Sequence, residues 1–193
     1  EAVDVVHDGI VDIERLGATG SYGATIRENG TAFQYEIGNW DAADAWARES
    51  RRMVRSGPNA WRYHIATTVG LGVARDQPDI SGRLDRFADL LDGQPVEGQY
   101  QGAYALAAAE HALWKRRPGE AIDTIDTSLA LLSDHWFPYF LAQMHAMAVR
   151  ALADLAELAR AERIPADIVS EHFERIDGHV ETKHVRETVE PTF

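Results

Sequence analysis

A chain of 193 residues, 45% hydrophobic and 26% charged, has the composition of a folded protein with enough apolar side chain to build a core. Lys and Arg total 19 against 31 Asp and Glu, and the formal charge of −12 argues against direct contact with nucleic acid or an anionic membrane. The absence of cysteine removes disulfides, thiol chemistry and Cys-ligated zinc together.

The most apolar stretch, Phe137 to Leu158, is interrupted by Gln143, His145, Arg150 and Asp154 and is too polar to span a bilayer. The N-terminus (Glu1, Ala2, Val3, Asp4) has neither the basic start nor the apolar centre of a signal peptide. A chain that begins at glutamate reads as a piece excised from a longer parent, and the expected setting is cytoplasmic.

The periodicity is helical nearly throughout. Val3, Val6, Ile10 and Ile13 mark one face of a first helix, closed by Gly17 and Gly20. Tyr22, Ile26, Gly30, Phe33 and Ile37 carry the helical period of a second, stopped at Gly38. Asn39 is placed to cap a third, with Trp40, Ala43, Ala47 and Val54 inward and Asp41 and Asp44 near its positive end. Gly57-Pro58 breaks the chain, and Asn59 is read as the cap of a helix holding Trp61, Ile65, Val69 and Val73. Asp76-Gln77-Pro78 turns into a helix carrying Ile80, Leu84, Phe87 and Leu91.

After Gly93-Gln94-Pro95 an alanine-rich helix runs from about Gly98 to Lys115. Pro118 suits the first turn of the next, where its missing N–H costs nothing, and Ala121, Ile125, Leu129 and Leu132 form its stripe. Beyond Ser133-Asp134 a longer helix aligns Leu141, Met144, Ala148, Ala151, Leu155 and Leu158 and ends at Pro165. Val169, Phe173, Ile176 and Val180 predict a last amphipathic helix, with a frayed tail from Lys183 to Phe193. No segment shows sustained strand alternation.

About nine helices joined by short turns predict an all-α fold of antiparallel pairs. Gly38-Asn39-Trp40 and Arg116-Arg117-Pro118 lie 78 residues apart, with Asp76-Gln77-Pro78 near the midpoint. A two-helix repeat near 39 residues is the mark of a tetratricopeptide-like, right-handed α-solenoid. The expected layout is one repeat domain over 1–193, with pairs at 20–56, 59–92, 98–133 and 135–182. The helix at 1–17 then completes a preceding pair.

Three stretches carry a family likeness: SYGATIRENGTAFQYEIGNWDAADAWARE from Ser21, AEHALWKRRPGEAIDTIDTSLALL from Ala109, and AVRALADLAELARAER from Ala148. Together they resemble the tetratricopeptide-like region of large LuxR-type bacterial regulators, in which an ATPase module precedes the repeats and a helix-turn-helix follows. The resemblance covers roughly Leu16 to Arg163, and its motifs are degenerate helix-packing patterns. It implies a parent that couples an inducer or protein partner at the repeats to its own ATPase and DNA-binding domains. This chain has no G-x-x-x-x-G-K-[ST] and no G-x-G-x-x-G, and its C-terminal helix carries Glu171, Glu174, Asp177 and Glu181 in place of a basic recognition surface.

The candidate chemistry is sparse, and no catalytic residue, metal ligand or cofactor is assigned. His172, His179 and His184 with Glu174 and Glu181 do not share one helix face, and no H-E-x-x-H is present. Without a nucleophile or a Gly-rich loop beside them, pairs such as Glu110-His111 are better read as surface charge. The aromatic residues are more informative. Trp136, Phe137, Tyr139 and Phe140 crowd one helix start, while Tyr22, Trp61, Tyr63, Tyr100 and Tyr104 fall on the first helices of successive pairs. Those helices line the concave face of a solenoid. Trp61 and Phe137 are assigned to packing, and Tyr22, Arg62, Tyr63, Gln101 and Tyr104 to a groove that would hold a peptide or small ligand. The expected function is therefore a sensory or scaffolding repeat domain. A free-standing adaptor and, less favoured, a small helical hydrolase or metal enzyme are the alternatives.

Overall fold

The structure, a computed structural model, describes residues 2–17, 21–53, 58–132 and 138–189. These residues form nine α-helices and, among themselves, no strand, so the fold is all-α. The expectations placed on Gly20, Val54, Gly57 and residues 133–137, and on the side chains of Asn59, Val180, Glu181 and His184, fall outside what is described. The sequence reading treats 1–193 as one repeat domain. In the structure the chain gathers into two compact units, Glu1–Gln94 and Pro95–Phe193.

The first unit contains α1 (Ala2–Arg15), α2 (Ser21–Glu36), α3 (Trp40–Met53), α4 (Pro58–Ala74) and α5 (Ile80–Leu91). Helix α4 begins at Pro58, so Asn59 lies in its first turn and does not precede it. Helix α2 is the centre of the unit, packing on α1, α3 and α4. Its buried face departs from the apolar period read in the sequence. Tyr22 and Ile37 are exposed and Phe33 lies at the surface, while Arg27, Glu28, Thr31 and Gln34 are buried. The physical reason is that each of these side chains finds a polar partner, although Arg27 Nε makes an ion-pair contact without a hydrogen bond. The Arg27 guanidinium donates to Glu14 Oε1 at 2.7 Å and to the Gly23 carbonyl at 3.2 Å, and pairs with Glu49 at 3.1 Å. Thr31 Oγ1 donates to the Arg27 carbonyl at 2.8 Å.

Close approach is bought at Gly30, where a Cβ would collide with the Trp46 ring of α3 and with Val6 of α1. Trp46 also meets the His7 ring edge-on, with centroids 5.8 Å apart. It thereby takes the inward role expected of Trp40, which is partly exposed. Ala43, Ile65, Val69, Val73, Ile80, Leu84 and Phe87 are buried where the periodicity puts them.

The second unit contains α6 (Gly98–Trp114), α7 (Pro118–Leu131), α8 (Pro138–Glu162) and α9 (Ala166–Val189). Helices α6, α7 and α8 pack on one another, and α9 packs on α8 and α7. The core is apolar. Ala121, Ile122, Ile125, Leu129 and Leu132 close on Ala105, Ala109 and Ala112 from one side and on Leu141, Met144, Ala148, Ala151 and Leu155 from the other. Small residues again permit close approach, and a Cβ on Gly102 would strike the Phe140 ring of α8.

Helix α9 docks on α7 partly through charge. Arg175 bonds Asp126 at 2.5 Å and Asp123 at 3.0 Å, and His179 Nε2 lies 2.8 Å from Asp126 Oδ1. Burial would raise the Asp126 carboxyl, but the hydrogen bonds and charges of Arg175 and His179 outweigh it and hold the group below its ordinary value. These contacts centre the docked face on Arg175, Ile176 and His179. They leave Phe173, expected inward, exposed. Helix α9 continues to Val189, beyond the point where fraying was expected.

One backbone device recurs at the ends of α2, α4, α6 and α8. A residue with left-handed φ follows each helix: Gly38 (φ 83°), Asp76 (φ 45°), Arg116 (φ 58°) and Arg163 (φ 57°). The N–H after each reaches the carbonyl five residues back: Asn39 to Gln34 at 2.8 Å, Gln77 to Gly72 at 3.1 Å, Arg117 to Ala112 at 2.9 Å and Ile164 to Ala159 at 2.9 Å. This closure satisfies carbonyls that the helix end would leave unpaired. It falls at the turn within each of the four expected helix pairs.

Candidate functional site

Helices α3 and α5 both pack on α4, but among the described residues they do not pack on each other. The gap between them is a pocket of about 700 Å³, within the range of small-molecule sites. Its walls are Asp44, Ala47, Arg48 and Arg51 from α3, Trp61, His64, Ile65, Thr68 and Leu71 from α4, and Arg83, Arg86, Asp89 and Leu90 from α5. Gln77 and Asp79, from the connection between α4 and α5, complete it. The α4 residues follow the i, i+3, i+4, i+7 spacing that brings side chains onto one helix face.

In a chain of net charge −12, four arginines against three aspartates is a local reversal of sign. Two of the arginines have a carboxylate within ion-pair distance. Arg48 pairs with Asp44 one helical turn away, and Arg86 lies 3.9 Å from Asp79. The other two have no carboxylate in ion-pair contact among the described residues. The Arg51 guanidinium stacks 4.0 Å from the centroid of the half-exposed Trp61 ring.

Arg83 is held by neutral oxygens. Its Nη1 donates to Gln77 Oε1 at 2.6 Å and its Nη2 to Thr68 Oγ1 at 2.9 Å. Gly72 supplies the seat, since a Cβ there would come within 2.8 Å of Arg83 Nη1. Burial draws the guanidinium below its usual pKa, a trend opposed by Asp79 and reinforced by Arg86.

His64 connects the pocket to the buried polar face of α2. Its Nδ1 lies 3.0 Å from Glu28 Oε1 and 3.4 Å from Ser50 Oγ. The Ser50 hydroxyl donates to the Ala47 carbonyl at 3.1 Å, so at His64 it accepts. With Ser50 and Glu28 both accepting, the ring donates toward them from Nδ1. Serine, histidine and glutamate together match a hydrolytic triad in residue type. The geometry is different, because an activated serine needs the imidazole nitrogen opposite the acid, and here both partners use Nδ1.

The residues assigned to a groove from sequence do not line this pocket. Tyr22 is 72% exposed at the start of α2, and Arg62 is buried at 4% exposure, not turned toward an open surface. Tyr63 is half-buried, and its hydroxyl donates to Asn29 Oδ1. In the second unit Gln101 donates to the buried Ser128 Oγ at 3.0 Å, and Tyr104 is half-buried. On α4 the sequence reading chose Arg62 and Tyr63, while their neighbours Trp61 and His64 face the cavity. The pattern that marks the site is two arginine pairs spaced by three, Arg48 with Arg51 and Arg83 with Arg86, on either side of Trp61 and His64.

Among the described residues no three His, Asp or Glu side chains stand close enough to hold a metal ion. His172 Nδ1 faces Arg175 at 3.2 Å, and His179 faces Asp126. No described helix is long and apolar enough to cross a membrane. Comparison with protein families, with curated proteins and with solved structures finds no match to this chain.

Proposed function

We propose that this chain is a helical-repeat binding module that takes a ligand between α3 and α5, and that it serves as the sensory or scaffolding part of a signal-responsive transcriptional regulator. The observation that carries the binding role is the α3–α4–α5 pocket: ligand-sized, lined by Ile65 and Leu71, and walled by four arginines, of which Arg83 is held in place by Gln77 and Thr68. The regulatory role rests on the sequence resemblance of the three stretches quoted above. In this reading the chain contributes recognition, and any ATPase or DNA-binding output belongs to other parts of the parent.

The finer architecture belongs to the same proposal. The recurring closure at Gly38, Asp76, Arg116 and Arg163, with helices packed on their successors in each unit, supports tetratricopeptide-like antiparallel hairpins in a right-handed solenoid. The binding role is tested by amide and indole NMR of the 193-residue chain against a small-molecule and peptide library. The expected result is a set of shifts confined to Trp61 and to amides of α3, α4 and α5. Binding that moves only residues elsewhere, or no binding across the library, would sink it.

A further inference from the structure

We infer that the occupant of this pocket is a small amphipathic organic anion, a carboxylate or phosphate ester on an apolar body, with its charged head on Arg83 and Arg51. The inference rests on the binding role proposed above and adds the chemical class. Four of the seven charged side chains of the wall are already in ion pairs: Arg48 with Asp44 and Arg86 with Asp79. A cationic ligand would therefore have to displace an existing guanidinium from either of those aspartates, leaving only the exposed Asp89.

The two guanidiniums outside those pairs are in the opposite condition. Arg83 is fixed by the side-chain oxygens of Gln77 and Thr68 and seated over Gly72, and none of these contacts cancels its charge. A guanidinium has five N–H groups in a planar fork, so donors remain after those two bonds. Arg51 is oriented by the Trp61 ring, which leaves its formal charge intact. A carboxylate or phosphate is the partner that such a fork fits, and a preset fork loses little side-chain entropy on binding.

The apolar body follows from the rest of the wall. Ile65, Leu71 and Leu90 line the same cavity, and about 700 Å³ exceeds what an inorganic anion fills. His64, its Nδ1 turned to Glu28, adds one polar group to the same wall.

The test uses calorimetry and amide NMR on the whole chain with four probes: 4-phenylbutyrate, phenyl phosphate, inorganic phosphate and neutral 4-phenylbutyramide. Phenylbutyrate or phenyl phosphate should bind with shifts at Trp61 and α5, and the better of the two identifies the head group. The amide and inorganic phosphate should each bind about tenfold more weakly, or not measurably. Arg83→Gln should weaken the preferred anion about tenfold. Arg51→Gln, on an exposed side chain and expected to fold as the parent does, should weaken it about threefold. Arg51→Lys should recover part of the loss, whereas a merely structural role would not respond to charge.

Equal binding of the amide, or unchanged anion affinity in Arg51→Gln together with a folded Arg83→Gln, overturns the anionic class while leaving the pocket's binding role standing. Inorganic phosphate binding as tightly as phenyl phosphate overturns the apolar body. Failure of both aromatic anions to shift pocket resonances at millimolar concentration overturns the inference. The binding role is then judged separately by the wider library.

Discussion

The Trp46 ring lies across Gly30, occupying the space that a Cβ on that residue would need. Alanine is the better helix former by about 1 kcal/mol, so helix preference alone favours Gly30→Ala. Overpacking should reverse that sign, because the added Cβ would also meet Val6 Cγ1 at 2.9 Å, and the His7 edge stands against the Trp46 ring. The expected net loss is about 1–3 kcal/mol. Gly102→Ala, under Phe140, should behave the same way. Urea unfolding followed by helix content measures both, and a stabilised Gly30→Ala protein would show that the ring yields freely.

Ile122 is fully buried at the centre of the second unit's core. Ile122→Ala should cost about 2–5 kcal/mol, the transfer of the lost methyl groups plus the cavity they leave. Leu131, on the same helix but 45% exposed, is the internal control, and Leu131→Ala should stay within about 0.5 kcal/mol. Similar costs at the two positions would mean that α7 presents a different face to α6 and α8.

Tyr63, first read as a groove aromatic, joins α4 to α2 through Asn29. Tyr63→Phe keeps the ring and removes one hydrogen bond, so it should destabilise by about 1 kcal/mol. Ligand affinity in the α3–α5 pocket should be unchanged, since Tyr63 does not line it. Lost binding with unchanged stability would restore the groove assignment.

Asp126 gives the docking of α9 a pH dependence. Its folded carboxyl titrates below the value of an unfolded aspartate, about 3.9, because Arg175 and His179 favour the charged form over the opposing effect of burial. The contribution is therefore fully present above about pH 4 and is lost as pH falls through the lower, folded value. Asp126→Asn should be less stable than the parent at neutral pH, and the gap should close in acid. Amide exchange along α9 reports the same event locally. A gap that persists unchanged at the acid end would place the stabilisation in packing.

How much of this was legible in the sequence depended on what each helix buries. The stripe Ala121, Ile125, Leu129 and Leu132 is buried as read, because the second unit's core is apolar and period alone identifies it. Helix α2 inverts the rule. Its buried Arg27 and Glu28 are matched by Glu14, Glu49 and His64, partners from three other helices that no local window connects. The pocket was hidden for a related reason. It exists because α3 and α5 stand apart on α4, a relationship between helices that begin 40 positions apart in the chain, at Trp40 and Ile80. On α4 the helix was placed correctly but its facing was missed by a single residue, which is about 100° of rotation.

The closures at Gly38, Asp76, Arg116 and Arg163 have a consequence for how such a chain can change over time. The same left-handed slot is filled by a glycine, an aspartate and two arginines. What repeats is a main-chain hydrogen bond to the carbonyl five residues back, and it makes few demands on the side chain beyond tolerance of the conformation, which costs a non-glycine residue about 1–2 kcal/mol. Mutation can therefore rewrite these joints one after another while each pair of helices stays hinged as before. The letters at these joints are freer to drift than their backbone geometry, and likeness among such chains is to be sought in the spacing of their turns.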